Sequence, residues 1–242
     1  MKVDERLITI RAAERESHIA MYSDDGMSQT NSWLRNPVKT IRDIMPLFDH
    51  YKHLQGLDLG CGPGRNALYV AQRCKRMGIS CTLDCVDIIE PAIKKLKQNA
   101  KLHGLEDSIR GLAQSIESYE IVPDSCDLVL AVSALEHVID ESAFIQKLMD
   151  IKFGLKTSGI VCLIINSDVR ETDVRTGNRL EPQFEINLPT SNIQSTLRNI
   201  FGECEILKSG VKEQHYDIPR KNGISRLQTS VVTFVARKPN IG

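Results

Sequence analysis

The 242-residue sequence lacks an excess of charge of either sign, a long apolar run and a Cys-x-x-Cys pair. Its 31 basic and 31 acidic residues cancel, which offers no electrostatic attraction to nucleic acid or to an anionic membrane. No apolar stretch approaches the ~20 residues of a membrane-spanning helix, and the first residues lack the apolar core of a secretion signal. We therefore expect a cytoplasmic protein that contacts neither DNA nor a membrane, and whose partner is a small molecule. The composition leaves the oligomeric state open.

The seven cysteines are an odd number and are scattered along the chain from Cys61 to Cys204. Most of them lie inside apolar runs, which is typical of buried free thiols in a reducing compartment. Since they form no paired motif, the sequence predicts neither a disulfide framework nor a metal site.

Aromatic residues are scarce at 5%, and the single tryptophan, Trp33, lies in a polar and charged stretch, residues 1–35. The isolated apolar residues of this stretch cannot make a core alone, so we predict an N-terminal extension or flap. Trp33 either docks onto the rest of the protein or closes over a ligand. Asn36-Pro37 then begins a helix and a single domain, residues 36–242.

From residue 54 onward, strand patterns alternate with helix patterns. This alternation predicts a doubly wound α/β fold with a parallel sheet and right-handed crossovers. Asn222-Gly223 is a turn signal that joins two further strands into a C-terminal antiparallel hairpin, which completes a mainly parallel seven-stranded sheet. The turn-rich stretch 167–189 is predicted to be a lid-like insertion. The predicted strands are 55–60, 81–87, 108–113, 126–133, 159–166, 204–217 and 225–237, and the predicted helices are 64–76, 91–102, 141–153 and 190–201.

Gly60, Gly62 and Gly64 occupy alternate positions between the first strand and its helix. Such a turn lets a ligand approach the backbone at the carboxyl end of a strand, where the amides of the new helix face it. Nicotinamide-binding loops use Gly-x-Gly-x-x-Gly, and counted from Gly60 the sixth residue is Arg65. Counted from Gly62 it is Ala67, a permitted variant, but the three alternate glycines are then unexplained. The spacing therefore disfavours a nicotinamide cofactor.

Four motifs follow one another along the chain: Leu57-Asp-Leu-Gly-Cys-Gly-Pro-Gly64, Val86-Asp87, Pro123-Asp-Ser-Cys-Asp-Leu-Val129 and Ala134-Leu-Glu-His-Val138. This ordered set resembles the class I S-adenosylmethionine-dependent methyltransferases. The motifs cover roughly residues 54–165, and the terminal hairpin extends the resemblance over much of 36–238. It implies a Rossmann-like fold, S-adenosyl-L-methionine as the cofactor, and methyl transfer by direct displacement.

The resemblance also implies which residues bind the cofactor. The backbone at Gly60 and Gly62 would pass close to the methionine and ribose, where a side chain would collide. Asp58 would hold the turn and the amino group of the cofactor. Asp87 would accept both ribose hydroxyls, or else it is only a cap for the following helix. The implied cofactor-binding set is Asp58, Gly60, Cys61, Gly62, Gly64, Asp87, Ile88, Ser115 and Ile116, with Ile88 packing on the adenine.

One position departs from the family pattern, in which an aspartate after the third strand binds the adenine amino group. Ser115 takes that place here, and its hydroxyl can accept a hydrogen bond without a charge. Adenine recognition then leans on the backbone amide of Ile116.

Candidates for the acceptor side follow the later strands. His137 titrates near neutral pH and is either a general base or, with Glu136, a support of the cofactor pocket. Asp168, His215 and Tyr216 are further candidates, and each is equally explained as an ordinary polar residue. Three arginines of the long loop, Arg170, Arg175 and Arg179, either grip an acidic acceptor or are simply solvated.

Displacement at an already activated sulfonium mainly requires alignment and exclusion of water. We therefore predict methyl transfer to a small-molecule acceptor, with no invariant protein nucleophile. No Asn/Asp-Pro-Pro-aromatic or Pro-Cys signature of DNA methylation is present. One alternative is a non-catalytic methyltransferase-like module, which Ser115 supports. The other is a protein or RNA methyltransferase, which the neutral composition does not suggest.

Overall fold

The structure is a computed structural model that describes residues 7–12, 16, 36–220 and 223–240. Residues 7–12 are helical, and five strands then alternate with helices as the sequence predicts. The remaining helices and strands are α1 (Lys39–Ile44), β1 (His53–Leu59), α2 (Arg65–Met77), β2 (Ser80–Asp87), α3 (Glu90–Leu102), β3 (Ile109–Ala113), β4 (Cys126–Val132), α4 (Glu141–Gly154), β5 (Leu155–Asp173), β6 (Arg179–Leu180), α5 (Thr190–Phe201), β7 (Glu205–Arg220) and β8 (Gly223–Arg237).

The strands form one sheet in the order β3-β2-β1-β4-β5-β8-β7, with the two-residue β6 paired to β5. Strands β1 to β5 pair in parallel, and β8 runs antiparallel between β5 and β7. This confirms the doubly wound, mainly parallel sheet with an antiparallel C-terminal hairpin. The carboxyl ends of β1 to β5 therefore meet at one edge of the sheet.

Two apolar cores cover the two faces of the sheet. One contains Ile41, Val70 and Leu96 from α1, α2 and α3. The other contains Phe144 of α4 and Leu197 of α5. Since helices cover both faces, β4 is buried along its whole length, which is typical of a central parallel strand.

The helix boundaries have local chemical causes. Helix α2 follows Gly64 and ends at Gly78, both in the left-handed region that glycine tolerates. Helix α3 has Pro91 in its first turn, where its missing N–H has no intrahelical partner to lose. Asp140 caps α4 by accepting a hydrogen bond from the Ala143 amide.

The expected lid-like insertion 167–189 is wrong over its first third, because β5 continues to Asp173. Along this extension the side chains alternate, with Val169 and Glu171 buried and Asp168 and Arg170 exposed. This alternation was not recognised in the sequence, because one of the inward-facing positions, Glu171, carries a carboxylate and not an apolar side chain. Residues 174–178 and 181–189 remain outside strands and helices.

The two C-terminal strands form the predicted hairpin. Arg220 pairs with Gly223, so two residues separate the strands, and these lie outside the described residues. Trp33 and most of residues 1–35 also lie outside the described residues. Of the predicted flap, the structure describes residues 7–12 and 16.

All seven cysteines are buried free thiols, which confirms their predicted state. Within the described residues, no helix has the length and apolar character needed to cross a membrane.

Candidate active site

A cavity of about 930 Å³ lies where the parallel strands end. Residues after β1 to β5 line it, together with the β7–β8 hairpin, residues 184–185 and the helical segment 7–12. Ligands of open α/β sheets bind at this edge. We call the part lined by Gly60, Asp87 and Ile116 the β1–β3 half, and the part lined by His137, Asn166 and Tyr216 the β4–β7 half.

The glycine turn is positioned by the protein itself. Gly60, Gly62 and Gly64 have φ values of 69°, 53° and 95°, a region that disfavours other residues. A Cβ on Gly60 would lie 2.4 Å from the Cβ of Ala134, and one on Gly64 would lie 2.2 Å from Leu96 Cδ1. The prediction that a side chain at Gly60 collides with a ligand is therefore incomplete, since it first collides with Ala134.

Asp87 ties the glycine turn to the start of α3. Its Oδ2 accepts from the Gly62 amide and its Oδ1 from the Ile89 amide, both at 2.8 Å. The bond to the Ile89 amide forms a turn just before α3, whose N-cap is Ile89 and which has no side-chain cap, so Asp87 is not the helix cap that was one of the two predictions. A carboxylate has about four acceptor sites, so these bonds do not saturate it, and Asp87 also lines the cavity.

Asp58 lies behind the turn and is fully buried. It accepts a hydrogen bond from the amide of Ala67, in the first turn of the helix α2 that follows the glycine turn. Burial raises its pKa to about 7, against the opposing effect of Arg65. Its Oδ2 has no hydrogen-bond partner among the described residues, which fits an additional cationic donor such as an amino group.

The other predicted cofactor residues lie together in the β1–β3 half. Ile88 is 57% exposed although it is apolar, and Cys61 and Ile116 are buried on the cavity wall. The Ser115 hydroxyl lies 2.9 Å from that of Ser118 and accepts from its amide, so it stabilises a local turn.

His137 belongs to a chain of charged groups across the cavity. Its Nδ1 lies 2.9 Å from Glu185 Oε2, and its ring stacks on Phe184 with centroids 5.2 Å apart. Arg11 contacts both Glu185, at 3.3 Å, and Glu117, at 2.7 Å. The helical segment 7–12 is therefore connected to both halves of the cavity.

A second polar network lies beneath the β4–β7 half. The carboxylate of Glu136 is fully buried, and its Oε1 accepts from the backbone and the side-chain amide of Asn166. Tyr216 donates its hydroxyl to Asn166 Oδ1 at 3.4 Å, and Thr229 donates to the same oxygen at 3.2 Å. Burial raises the pKa of Tyr216, and the charge of Glu136 raises it further, so the phenol stays protonated at neutral pH.

Several candidates do not line the cavity. Asp168 is wrong as an acceptor-side residue, because its carboxylate accepts from the amide and hydroxyl of Thr190 and so caps α5. His215 is exposed on β7. Three exposed arginines also lie away from the cavity: Arg170, Arg175 and Arg179.

Sequence reasoning missed Arg11, Asn166, Phe184 and Glu185. Asn166 ends a predicted strand at the ligand-binding edge, so its position was a usable signal. The other three come from stretches without periodic patterns, and only the tertiary fold brings them to the cavity. In the part of the chain that the structure describes, no group of His, Cys, Asp or Glu could hold a metal ion.

The sheet order, the glycine turn and the cavity define a Rossmann-like nucleotide-binding protein. Residues 57–159 match a family model described as a methyltransferase domain. Residues 57–159 are therefore a methyltransferase domain, and the motifs of this stretch resemble the class I S-adenosylmethionine-dependent methyltransferases, whose cofactor is S-adenosyl-L-methionine.

Similar proteins agree with this family. Norajmaline N-methyltransferase from Rauvolfia serpentina is 30% identical over 93 residues, which cover 38% of this chain and 30% of that enzyme. The match thus spans less than a third of that relative. The structure of TehB from Haemophilus influenzae superposes with a TM-score of 0.61 and 18% identity, covering 91% of this chain and 67% of that one.

A third similar protein is phosphoethanolamine N-methyltransferase 1 from Haemonchus contortus, in complex with phosphoethanolamine and S-adenosylhomocysteine. Its TM-score is 0.58 at 16% identity, with 100% of this chain and 51% of that chain covered. At these identities the two structures show a shared fold.

Proposed function

We propose that the protein catalyses transfer of a methyl group from S-adenosylmethionine to a small-molecule acceptor, in the cytoplasm. The observation that carries this proposal is the single cavity with two chemically different halves. Pockets for one drug-sized ligand span roughly 300–1,000 Å³, and this cavity of about 930 Å³ lies at the upper end. It has room for a cofactor and a second small molecule.

In this proposal the β1–β3 half holds the cofactor. Asp58 accepts a hydrogen bond from the amino group of the cofactor. Asp87 accepts hydrogen bonds from the ribose hydroxyls in addition to the two that it already accepts from backbone amides. Ile88 covers the adenine, which explains an exposed isoleucine on the cavity wall. Since the Ser115 hydroxyl is engaged by Ser118, adenine recognition rests on the Ile116 backbone.

S-adenosylmethionine supplies a methyl group already activated on a sulfonium. The residues of the β4–β7 half align the acceptor and exclude water. We assign His137 as the base for acceptors that must lose a proton. Its Nδ1–H donates to Glu185, and this carboxylate also stabilises the imidazolium that forms.

The contacts between residues on the two sides of the cavity support a small acceptor. Arg11 spans it from Glu117 to Glu185, and Phe184 lies against His137, so an RNA or protein segment would have to displace these contacts. The similarity to a methyltransferase that is named for a small molecule, norajmaline, agrees with this size.

Calorimetry with S-adenosylmethionine tests the cofactor half. Ile88→Ala should weaken binding by about 5- to 10-fold, because it removes most of an apolar contact without disturbing the core. Ile224→Ala is the matched control, since Ile224 is similarly exposed, at 55%, and does not line the cavity. The absence of wild-type binding at high micromolar ligand would overturn the proposed function.

Ser115 supports a second candidate, a module that holds the cofactor without turning it over. Its hydroxyl stabilises a turn, so the adenine site has no charged acceptor at this position. Incubation with S-adenosylmethionine and a metabolite extract distinguishes the two. Formation of S-adenosylhomocysteine supports the enzyme, whereas persistent binding without turnover supports the module.

A further inference from the structure

The β4–β7 half offers no cation to a negatively charged acceptor. Among the described residues that line it, the only permanently cationic side chain is Arg11, which contacts Glu117 and Glu185, and the imidazole of His137 also faces Glu185. The loop arginines that were candidates to grip an acid lie away from the cavity. An acceptor carboxylate or phosphate would therefore enter without a partner and face two carboxylates.

The hydrogen-bonding network beneath this half fixes the direction of its polar groups. Only the Nδ2 of Asn166 can donate to the Glu136 carboxylate, so its Oδ1 must face Tyr216 and Thr229. Tyr216 therefore uses its hydrogen on Asn166, and the lone pairs of its oxygen remain to accept. Tyr216 lines the cavity, so this half presents a hydrogen-bond acceptor to whatever binds there.

Glu136 places a buried carboxyl group behind this acceptor. It is 1% exposed, and its Oε2 has no hydrogen-bond partner among the described residues. Burial raises the pKa of Glu136, while the nearby His137 lowers it. A buried carboxylate with an unsatisfied oxygen is stabilised by a nearby cation, and Asn166 and Tyr216 separate it from the cavity.

Apolar side chains complete the same half. Leu227 and Ile218 line it beside Phe184, and Phe184 stacks with His137. The half thus combines an apolar wall, a hydrogen-bond acceptor and an excess of carboxylates. These properties match an ammonium group carried on an apolar body.

We propose that the β4–β7 half takes an amine with an apolar body, bound with its N–H groups directed at Tyr216. This inference rests on the proposed function and names its substrate class. The ammonium loses one proton to the imidazole of His137, the base assigned above, and the nitrogen lone pair then forms the C–N bond. The C–S bond breaks, and its electron pair stays on the sulfur of S-adenosylhomocysteine.

Three probes that share one indole ring test the proposal: tryptamine, tryptophol and indole-3-acetate. Calorimetry measures their binding to the full chain saturated with S-adenosylhomocysteine. We expect tryptamine to bind at least about 10-fold more tightly than tryptophol, and indole-3-acetate to bind least, because the three share the ring and differ in the charge and hydrogen-bond donors of the end group. Benzylamine, benzyl alcohol and benzoate repeat the comparison with a smaller ring.

Glu136→Gln keeps the shape of the side chain and an oxygen for Asn166 but removes the charge. We expect it to lower the preference for amine over alcohol by about 10-fold while leaving S-adenosylhomocysteine binding unchanged, which shows that the variant is folded. Glu205→Gln is the matched control, because it removes the same charge at the opposite edge of the sheet, where Glu205 contacts Arg237. It should leave the preference at its wild-type value.

The outcomes separate the inference from the proposed function. If wild-type protein fails to bind S-adenosylhomocysteine, both are overturned. If it binds but neither amine is preferred over its alcohol, or neither amine binds, only the inference is overturned. If Glu136→Gln weakens the binding of S-adenosylmethionine but not of S-adenosylhomocysteine, and the preference for amine over alcohol is unchanged, the carboxylate stabilises the sulfonium of the cofactor. The inference is then overturned.

Discussion

Asp58 combines two properties that oppose each other. It is fully buried, which raises its pKa from 3.8 to about 7, and yet it holds the glycine turn through the Ala67 amide. In a protein without cofactor, the ionised form is therefore costly. An amino group donated to its Oδ2 would supply the missing partner.

This conflict predicts how stability depends on pH. The native pKa exceeds the unfolded one, so the native state binds more protons between them, and the free energy of unfolding falls as pH rises from about 4 to about 7. Each unit of difference between the native and unfolded pKa corresponds to ~1.4 kcal/mol, so the free energy of unfolding falls by at most about 4 kcal/mol. Urea unfolding of cofactor-free protein at pH 5 and pH 8 measures it.

Asp58→Asn should reduce this loss, because an amide has no charge to desolvate. Asp43→Asn is the control, since Asp43 is a surface carboxylate whose pKa is lowered by Lys39. An equal fall in stability in wild type and Asp58→Asn would contradict the assignment to Asp58.

The sequence motifs identified the glycine turn, Asp58 and Asp87, but they did not reveal every contact that these residues make. Gly60 is required by Ala134 and Gly64 by Leu96, contacts that depend on how the chain folds back. The two interpretations of Asp168 stayed open in sequence because its position after a strand is shared by ligand-binding and helix-capping residues. Local sequence cannot separate the two, since the difference is whether Thr190 lies beside it.

The long β5 strand is the element that the sequence predicted least well. Strands β1, β2 and β4 are mostly buried, so their apolar residues revealed them. The extension of β5 beyond Asn166 instead buries Glu171, which contacts Arg220 of β7 at 2.7 and 2.8 Å. A buried ion pair looks like two surface residues in sequence, so a loop was predicted where a strand forms.

This pair should hold the extended part of the sheet together. Arg220→Ala leaves Glu171, which is 2% exposed, without its cation, and we expect a loss of about 2–3 kcal/mol of unfolding free energy. Arg226→Ala is the matched control, because its partner Asp217 is exposed and such pairs contribute about 0–1 kcal/mol.

The double variant Glu171→Ala/Arg220→Ala should recover part of the loss, since it removes the buried charge that the single variant leaves behind. Denaturant unfolding measures all four proteins. Equal losses in Arg220→Ala and Arg226→Ala would show that the Glu171 pair does not stabilise the extension.

On the scale of the whole molecule, the cavity is built from distant parts of the chain. Its walls combine residues from positions 11 to 227, and only the residues at the ends of the parallel strands and Tyr216 of the hairpin were recognised in sequence. Arg11 joins the helical segment 7–12 to Glu117, beside the proposed adenine site, and to Glu185, beside His137. The side chain of Arg11 therefore connects the helical segment 7–12 to both halves of the cavity.

This connection predicts control of product release. Arg11→Ala removes both ion pairs while Ile10 keeps the segment anchored in the core, so S-adenosylhomocysteine should dissociate roughly 10-fold faster. Stopped-flow displacement by excess S-adenosylmethionine measures the rate. Arg42→Ala, which changes an exposed arginine on α1, controls for loss of a positive charge.

In wild type, added salt should also speed the release of S-adenosylhomocysteine, because it screens the partly exposed Arg11, and the variant Arg11→Ala should lose this dependence. An unchanged dissociation rate in Arg11→Ala would mean that the segment does not gate the cavity.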